Sequence, residues 1–285
     1  MPGLLIADAG TTKTDWSFLP KKEEARNVIR ISSHGINPVH QTDSTIEKVI
    51  TSVKEELKEE TIDSIYFFGA GCLGERISKK MEKLLNDAWP LASINIESDI
   101  IGASKALFGD KSGLTCILGT GSNTCLYKNG KIIDHIPPLG FILGDEGSGA
   151  SLGKRLLNAI YKRDISEFII RAFEEEFQFS EKDIIERVYR CEKASSFLAS
   201  FTPFLYKYKE REEITNLLYA EFKNFFDKNI LNYGDVKDYE LGFIGSVAWF
   251  FRPTLEAVSN SYGFKIHKIL KAPILELEKY YKASE

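Results

Sequence analysis

Two stretches of the chain, residues 4–19 and 114–128, share one pattern: an apolar run, a tight turn of glycine and hydroxyl residues, and an alternating run. In the first stretch (LLIADAGTTKTDWSFL) the turn follows Asp8, and in the second it reads GTGSN. The alternation after each turn predicts an antiparallel strand pair in both places. A chain that carries this hairpin twice, each time before a similar series of elements, is predicted to be a duplicated α/β layer structure.

The elements that follow each hairpin come in a similar order. After the first hairpin, strands are predicted at 28–33, 64–68 and 93–96, and helices at 45–60, 74–87 and 100–108. After the second, the pattern predicts a strand at 131–136, a helix from Ser151, a helical tract over 153–232, and strands at 239–244 and 264–268. It also predicts a helix at 246–259 that is interrupted by Pro253, and a helix at 273–282. We therefore predict two domains, 1–110 and 111–269, the second with a helical insertion, and a terminal helix over about 270–285 that packs back on the first.

Composition narrows the classes of function. The 285 residues are 43% hydrophobic and carry a net charge of −4 with both signs interspersed, so neither a nucleic-acid surface nor a membrane surface is predicted. The four cysteines are scattered without metal-site spacing, and buried free thiols are the expectation. No signal peptide and no apolar run of about 18 residues is found, which favours the cytoplasm.

Each glycine turn has the chemistry of a phosphate site. Glycine lets backbone N–H groups turn inward around an anion, and Thr and Ser hydroxyls add further donors. Asp8, at the end of the first strand, is a carboxylate able to hold Mg²⁺ through water. One such turn is usually only a hairpin, but two turns facing each other across a cleft would hold one polyphosphate from both sides.

A competing motif lies at residues 69–74, where GAGCLG matches GxGxxG between a predicted strand and a predicted helix. With Glu97 beyond it, this pattern is typical of a dinucleotide site. Against NAD, three strands in hairpin order precede the motif, and Glu97 lies farther away than the usual ~20 residues. The favoured interpretation is that the GAG backbone forms a close wall for a substrate or for the facing turn.

Four motifs, standing in order, resemble those of the actin/hexokinase/Hsp70 ATPase superfamily. DAGTTKTDWSFL resembles its first phosphate motif, LGTGSNTCLY its second, and LGFIGSVAWFF (241–251) its adenosine motif. ILGDEGSGASLG (142–153) is similar to the sugar-binding loop of N-acetylglucosamine kinases. The resemblance spans nearly the whole chain and is closest to the N-acetylglucosamine kinase-like members of the BadF/BadG/BcrA/BcrD ATPase family.

The resemblance implies two ribonuclease-H-like domains around a central cleft, and an ATP- and Mg²⁺-dependent kinase that phosphorylates an N-acetylated amino sugar at its 6-hydroxyl. It points to Asp99, where a predicted strand gives way to a helix, as the general base. Together with the glycine turns, it assigns nucleotide or phosphate contacts to Asp8, Gly10, Thr11, Thr12, Thr14, Gly119, Thr120, Gly121, Gly245 and Ser246. The implied sugar contacts are Asn37, Ser122, Asn123, Gly140 and Asp145. A homodimer is a further family expectation.

Simpler explanations of these residues stay open at the level of sequence. Asp99 or Ser98 could only cap a helix, Asn37 could belong to a plain turn, and Asp145 could complement a helix dipole. Leu139 stands where the family often carries a Trp, which leaves the choice between N-acetylglucosamine and N-acetylmuramic acid open.

Two further functions also stay open. One is an ATPase that activates an iron–sulfur dehydratase or reductase, with Cys72 and Cys125 as conceivable cluster ligands. The other is a non-catalytic sugar sensor, which would carry a DNA-binding segment; with the first strand starting at Leu4, no room for one is expected.

Overall fold

The computed structural model describes residues 2–21, 27–72, 74–191 and 193–284. The chain divides into two compact units. Unit 1 comprises Met1–Lys111, Asn129–Lys131 and Ala272–Glu285, and unit 2 comprises Ser112–Lys128 and Ile132–Lys271. Each unit is built on a five-stranded sheet with helices, so the predicted α/β class with two ribonuclease-H-like units is confirmed.

The sheet of unit 1 has the strand order β3-β2-β1-β4-β5. Its elements are β1 (Pro2–Ala9), β2 (Lys13–Pro20), β3 (Ile29–His34), α1 (Asp43–Glu56), β4 (Thr61–Gly69), α2 (Glu75–Ala88), β5 (Ser93–Ser98) and α3 (Asp99–Phe108). The first three strands pair antiparallel, as the hairpin pattern predicts, and β1, β4 and β5 run parallel. The apolar stripes of α1 and α2 cover the sheet, with Trp16, Phe18 and Phe67 fully buried.

The second sheet repeats this topology in the order β10-β9-β6-β7-β8. Its elements, with the helices between them, are β6 (Gly113–Leu118), β7 (Ser122–Lys128), β8 (Lys131–Asp134), α4 (Gly140–Leu143), α5 (Gly149–Tyr161), α6 (Glu167–Phe177), α7 (Glu181–Tyr189), α8 (Ala194–Ala199), α9 (Thr202–Lys207), α10 (Glu212–Lys228), β9 (Leu241–Ile244), α11 (Ser246–Phe250), α12 (Arg252–Ser261) and β10 (Ile266–Leu270). The hairpin β6–β7 is antiparallel, and β6, β9 and β10 run parallel. The same arrangement of strands is therefore built twice, which confirms the predicted duplication.

The tract predicted to be helical over 153–232 is divided into the helices α5 to α10. Capping explains two of the breaks. Ser166 and Ser180 accept N–H bonds at the starts of α6 and α7, and Gln178 ends α6 with a left-handed backbone. The helix predicted over 246–259 is divided into α11 and α12, and Pro253 lies in the first turn of α12. The short helix α4, which begins at Gly140, was not predicted.

The final helix, α13 (Ile274–Ser284), belongs to unit 1 and contacts α3, β1 and β2. Glu278 is buried in that contact, where its carboxylate accepts hydrogen bonds from the Ser17 hydroxyl at 2.7 Å and from the Arg30 guanidinium at 2.6 Å. The charge of Glu278 is tolerated there because it is paired. Among all the residues described, none of the helices combines the length and the hydropathy that a membrane span requires.

Candidate active site

The carboxyl ends of three parallel strands meet at one edge of the sheet in unit 1. Ala9 of β1 pairs with Gly69 of β4, which pairs with Ser98 of β5. Asp8 precedes Ala9, and Asp99 follows Ser98 as the first residue of α3. Parallel α/β sheets bind their ligands at this edge. Unit 1 therefore places Asp8 and Asp99, which lie far apart in the sequence, beside the same row of strand ends.

Both carboxyl groups have a raised pKa. The pKa of Asp8 is raised to about 7, first by burial and then by the charges of Asp15 and Asp99, while the charge of Lys13 opposes the shift. Burial raises the pKa of Asp99 to about 6, against the effect of hydrogen bonds from backbone N–H groups. A proton, or a cation bound between ligand and protein, would relieve the free-energy cost of these buried charges.

The helix N-terminus limits the cost of the Asp99 charge. The N–H of Ile100 donates to Oδ1 of Asp99 at 2.9 Å, and the positive end of the helix dipole favours an anion there. Ser98 holds the N-cap position, yet its buried hydroxyl has no hydrogen-bond partner among the described residues. Oδ1 of Asp99 therefore accepts from one N–H group in the first turn of α3, and the second carboxylate oxygen remains for other partners.

The first glycine turn joins β1 to β2. The N–H of Gly10 donates to the carbonyl of Lys13 at 3.0 Å, which leaves Thr11 and Thr12 exposed at the tip. Gly35 packs beneath this tip, because a Cβ there would lie 2.3 Å from the carbonyl oxygen of Thr11. The N–H of Gly35 donates to the carbonyl of Thr12 at 3.1 Å. The conformation of the turn is thus fixed by backbone contacts.

Asn37 is brought to the same turn. Its amide Nδ2 donates to Oγ1 of Thr11 at 3.2 Å, and its Oδ1 accepts from the N–H of Val39 at 3.1 Å. The GAG stretch lies against this segment, since a Cβ on Gly71 would meet Val39 at 2.5 Å and Asn37 at 3.5 Å. Leu73 of the same motif lies outside the described residues. Asn37 is therefore positioned by the turn and not by a plain surface loop.

Thr14 is arranged differently from the other residues of its motif. It lies within β2 and is fully buried, where its Oγ1 accepts from the N–H of Ile36 at 3.1 Å. Its side chain supports the segment that carries Asn37. We therefore assign Thr14 a supporting role, distinct from the exposed hydroxyls of Thr11 and Thr12.

The second glycine turn, between β6 and β7, is fastened to a helix. The N–H of Gly119 donates to the carbonyl of Gly121 at 2.9 Å. Two N–H groups at the start of α5, those of Gly149 and Ala150, donate to the carbonyls of Gly119 and Thr120 at 2.8 and 3.0 Å. The carbonyls of the turn are therefore occupied by the protein, and the turn is held rigidly against α5.

Gly245 packs against this turn. Its φ is +125°, and a Cβ would lie 2.1 Å from the carbonyl oxygen of Leu118, so both conformation and space require glycine. The N–H of Gly245 donates to the carbonyl of Leu270 at 3.0 Å. Ser246 follows as the exposed first residue of α11. The adenosine-like motif and the second phosphate-like motif are thus adjacent in unit 2.

Asp145 also reaches the second turn. Its Oδ1 accepts from the N–H of Ser122 at 3.2 Å, and a Cβ on Gly121 would lie 3.1 Å from its carboxylate. Burial raises the pKa of Asp145, while the bond from Ser122 opposes the shift. Gly140 is the first residue of α4, with a φ of +73°, and its carbonyl accepts from the N–H of Gly144. Ser122 and Asp145 therefore contact each other, whereas Gly140 only precedes Asp145 in the same segment.

The helix cap near Asp145 belongs to another residue. Ser148 is the N-cap of α5, and its hydroxyl accepts from the N–H of Ser151 at 3.1 Å. Asp145 lies three residues earlier, with a left-handed backbone at φ +54°. Asp145 therefore does not cap α5.

Sequence reasoning missed two residues that support this site. Glu221 of α10 is fully buried and accepts from the N–H of Gly147 at 2.8 Å, from the hydroxyl of Ser151 at 2.6 Å, and from Arg155. A single Glu on the apolar face of a helix is the signal that could have found it. His135 contacts Oδ1 of Asn123 at 2.8 Å and belongs to no motif.

The residues present fit a magnesium ion that is held mainly by phosphate and water. Within the described ranges, His, Cys, Asp and Glu form no group of three or more that could hold a metal. Asp8 and Asp99 nevertheless lie at one sheet edge. Burial disfavours the ionised form of both, and the charge of Asp99 further disfavours that of Asp8. Mg²⁺ commonly binds through one or two carboxylates together with substrate phosphates and water.

Comparison with known proteins gives the family. The model of the BadF/BadG/BcrA/BcrD ATPase family matches residues 7–237. The chain belongs to this family. A search of curated proteins finds no match.

Solved structures agree with this assignment. A protein from Porphyromonas gingivalis named "Putative N-acetylglucosamine Kinase" is 36% identical, with a TM-score of 0.92 over 98% of this chain and 99% of that chain. A Chromobacterium violaceum protein of the same name has a TM-score of 0.75 at 16% identity, over 96% of each chain. A ROK family glucokinase from Streptomyces griseus, in complex with glucose and AMPPNP, has a TM-score of 0.53 at 13% identity over 95% of each. The last two show the fold alone.

Replacing Asp8 should stabilise the ligand-free protein. Its pKa is raised from 3.8 to about 7, so folding disfavours the charged form, and the cost is fully present at pH 8. Asp8→Asn removes that cost and should raise the free energy of unfolding at pH 8 on the order of 1–3 kcal/mol. The gain should shrink as the pH falls below 7 and become small near pH 4, close to the unfolded-state pKa of 3.8.

Denaturant unfolding from pH 4 to pH 8 measures this difference, with Asp87→Asn on the exposed face of α2 as the matched control. The control should change the free energy of unfolding by less than about 0.5 kcal/mol at every pH. An Asp8→Asn variant less stable than the wild type at pH 8 would contradict the electrostatic assignment.

Proposed function

We propose that the chain transfers the γ-phosphoryl group of ATP to the 6-hydroxyl of an N-acetylated amino sugar, N-acetylglucosamine or N-acetylmuramic acid. The observation that carries this proposal is the half-buried Asp99 carboxylate at the head of α3, beside Asp8 at the same sheet edge. The ATPase family and the name of the Porphyromonas gingivalis protein support the coarser reading, a sugar kinase.

Asp99 is assigned as the general base. With a pKa of about 6 it is ionised at neutral pH and can accept the proton of a sugar hydroxyl as the oxygen attacks phosphorus. Phosphoryl transfer depends mainly on the positioning of the substrates and on neutralisation of the phosphate charge. The protein therefore needs to supply only one general base and a set of hydrogen-bond donors to the phosphates.

Phosphate binding is assigned to Gly10, Thr11 and Thr12 of unit 1 and to the turn Gly119–Gly121 of unit 2. The Thr11 hydroxyl accepts from Asn37, so its own proton remains available to a phosphate oxygen. Magnesium would be held by the phosphates and, through water, by Asp8, and would neutralise charge on the transferring group. The nucleoside is assigned to Gly245 and Ser246.

The sugar is assigned to Asn37 of unit 1 and to Ser122, Asn123, Gly140 and Asp145 of unit 2. Asp145 supplies an acceptor for ring hydroxyl protons, because its carboxylate lies at the start of β7 with one oxygen already fixed by Ser122. Three apolar side chains near Gly140 are strongly exposed: Leu139 at 62%, Ile142 at 74% and Leu143 at 75%. They suit the methyl group of an acetamido or lactyl substituent.

The structure argues against the activator ATPase. Cys72 and Cys125 are both buried, and burial raises the pKa of the Cys72 thiol to about 12, which opposes formation of a cluster-binding thiolate. The iron content of the purified protein would separate the two functions, since a kinase needs none. The homodimer and the cytoplasmic location stay predictions.

A coupled assay of ADP release across a panel of amino sugars tests the proposal. We expect ADP release that requires both Mg²⁺ and a sugar, with N-acetylglucosamine or N-acetylmuramic acid as the best substrate and the 6-deoxy analogue inert. Phosphorus–carbon coupling in the NMR spectrum of the product should place the phosphate on carbon 6. ATP hydrolysis that is independent of every sugar would refute the proposal.

Asp99→Asn should lower kcat by about 10²–10⁴ while changing the KM values for ATP and sugar little, since it removes the base and keeps the shape. The acidic limb of the kcat/KM profile, near pH 6 in the wild type, should disappear with it. Glu97→Gln is the matched control, because Glu97 lies two residues away and pairs with Lys105 at 2.6 Å. Near-normal turnover of Asp99→Asn would remove Asp99 from the mechanism.

A further inference from the structure

The side-chain amide of Asn123 has a fixed orientation in unit 2. Asn123 is the second residue of β7, and its Oδ1 accepts from the N–H of Thr124 at 3.0 Å. A backbone N–H can only donate, so the amide atom that it meets must be the oxygen. The same oxygen lies 2.8 Å from Nε2 of His135. That ring nitrogen must therefore carry a proton and donate it.

These two bonds determine what Asn123 can offer a ligand. They use both lone pairs of Oδ1. In the part of the chain that the structure describes, the amide nitrogen Nδ2 has no acceptor. Asn123 therefore presents two N–H donors, and a bound group must supply an acceptor oxygen.

The position of His135 is itself well supported. The hydroxyl of Tyr233 pairs with Oγ1 of Thr124 at 2.8 Å and accepts from the N–H of Ile136 at 3.0 Å. Residues 123 and 124 of β7 are thus tied to residues 135 and 136 by two neighbouring cross-links. Burial lowers the pKa of His135, although Asp134 opposes the shift, which favours the neutral ring.

We propose that His135 is a positioning residue that locks the Asn123 amide, so that unit 2 binds the sugar through an N–H donor at Asn123 beside the acceptor at Asp145. The proposal rests on the proposed sugar kinase function and specifies which side chain of that site donates a hydrogen bond and which accepts one. Asn123 donates to an oxygen of the substrate, either a ring hydroxyl or the acetamido carbonyl, while Asp145 accepts a hydrogen bond from a sugar hydroxyl. A substrate lacking the acceptor oxygen would leave the Asn123 donors unpaired and bind weakly.

Steady-state kinetics with the best sugar of the panel test this assignment. His135→Leu frees the amide to rotate and should raise the sugar KM roughly tenfold, the value of one hydrogen bond, with kcat and the ATP KM within about threefold. His135→Gln, which keeps an N–H donor, should restore most of the affinity. His267→Leu, the same change at the histidine that pairs with Glu240 in unit 2, should leave all three constants unchanged.

A double-mutant cycle separates positioning from a general structural role. If His135 acts through Asn123, His135→Leu should add less than about twofold to the sugar KM in an Asn123→Ala background. The full tenfold effect in that background would overturn the proposal, and so would a His135→Gln variant as impaired as His135→Leu.

The tautomer of His135 gives a test that needs neither a folded variant at this position nor an active enzyme. Nitrogen-15 NMR of the ligand-free wild type should show a neutral ring protonated at Nε2, and Asn123→Ala should shift that signal. A ring protonated only at Nδ1 would overturn the assignment even if every sugar is phosphorylated. Failure of the sugar panel, with the Nε2 proton in place, would count against the kinase function alone.

Discussion

The burial of two carboxylates at the end of a parallel sheet is the constraint on which the proposed chemistry depends. Asp8 and Asp99 are held at the same edge by the register of β1, β4 and β5, and neither can move away without breaking a strand or a helix start. Burial raises the pKa of both groups, and the charges of Asp15 and Asp99 add to the shift at Asp8. The two ionised carboxylates thus destabilise the ligand-free protein. A magnesium–nucleotide complex would relieve this electrostatic cost, and the relief would contribute to the free energy of binding.

The second unit contributes a rigid frame of backbone groups. The turn Gly119–Gly121 is held by the first N–H groups of α5, and Gly245 packs against the strand that leads into it. Glu221 holds the loop before α5 through Gly147 and the first turn of α5 through Ser151. Because these contacts involve backbone and buried atoms, the turn keeps its shape without a ligand. Donors fixed in advance cost little reorganisation when charge develops on a phosphoryl group.

The sequence was sufficient to predict what depends on local pattern. Strand alternation and glycine turns gave both hairpins, and their repetition gave the duplicated α/β class. Helix breaks were harder to predict, because they depend on single N-cap residues such as Ser166 and Ser180. Periodicity alone does not show where one serine begins a new helix.

Contacts between distant residues could not be read from the sequence. Thr14 looked like a phosphate ligand from its motif, but strand alternation turns it inward, where it supports Ile36. His135 meets Asn123 only because β8 ends beside β7, which depends on the pairing of the whole sheet. Glu221 lies seventy-odd residues from the loop that it holds. Each of these roles is a property of tertiary packing.

The most direct test of this account is a carbon-13 NMR titration of the Asp8 and Asp99 carboxyl groups, with and without magnesium and a non-hydrolysable ATP analogue. The account predicts that in the ligand-free protein Asp8 titrates near pH 7 and Asp99 near pH 6, and that the magnesium–nucleotide complex lowers the pKa of Asp8. Two carboxyl groups that titrate near pH 4 in the free protein and do not respond to the complex would contradict it.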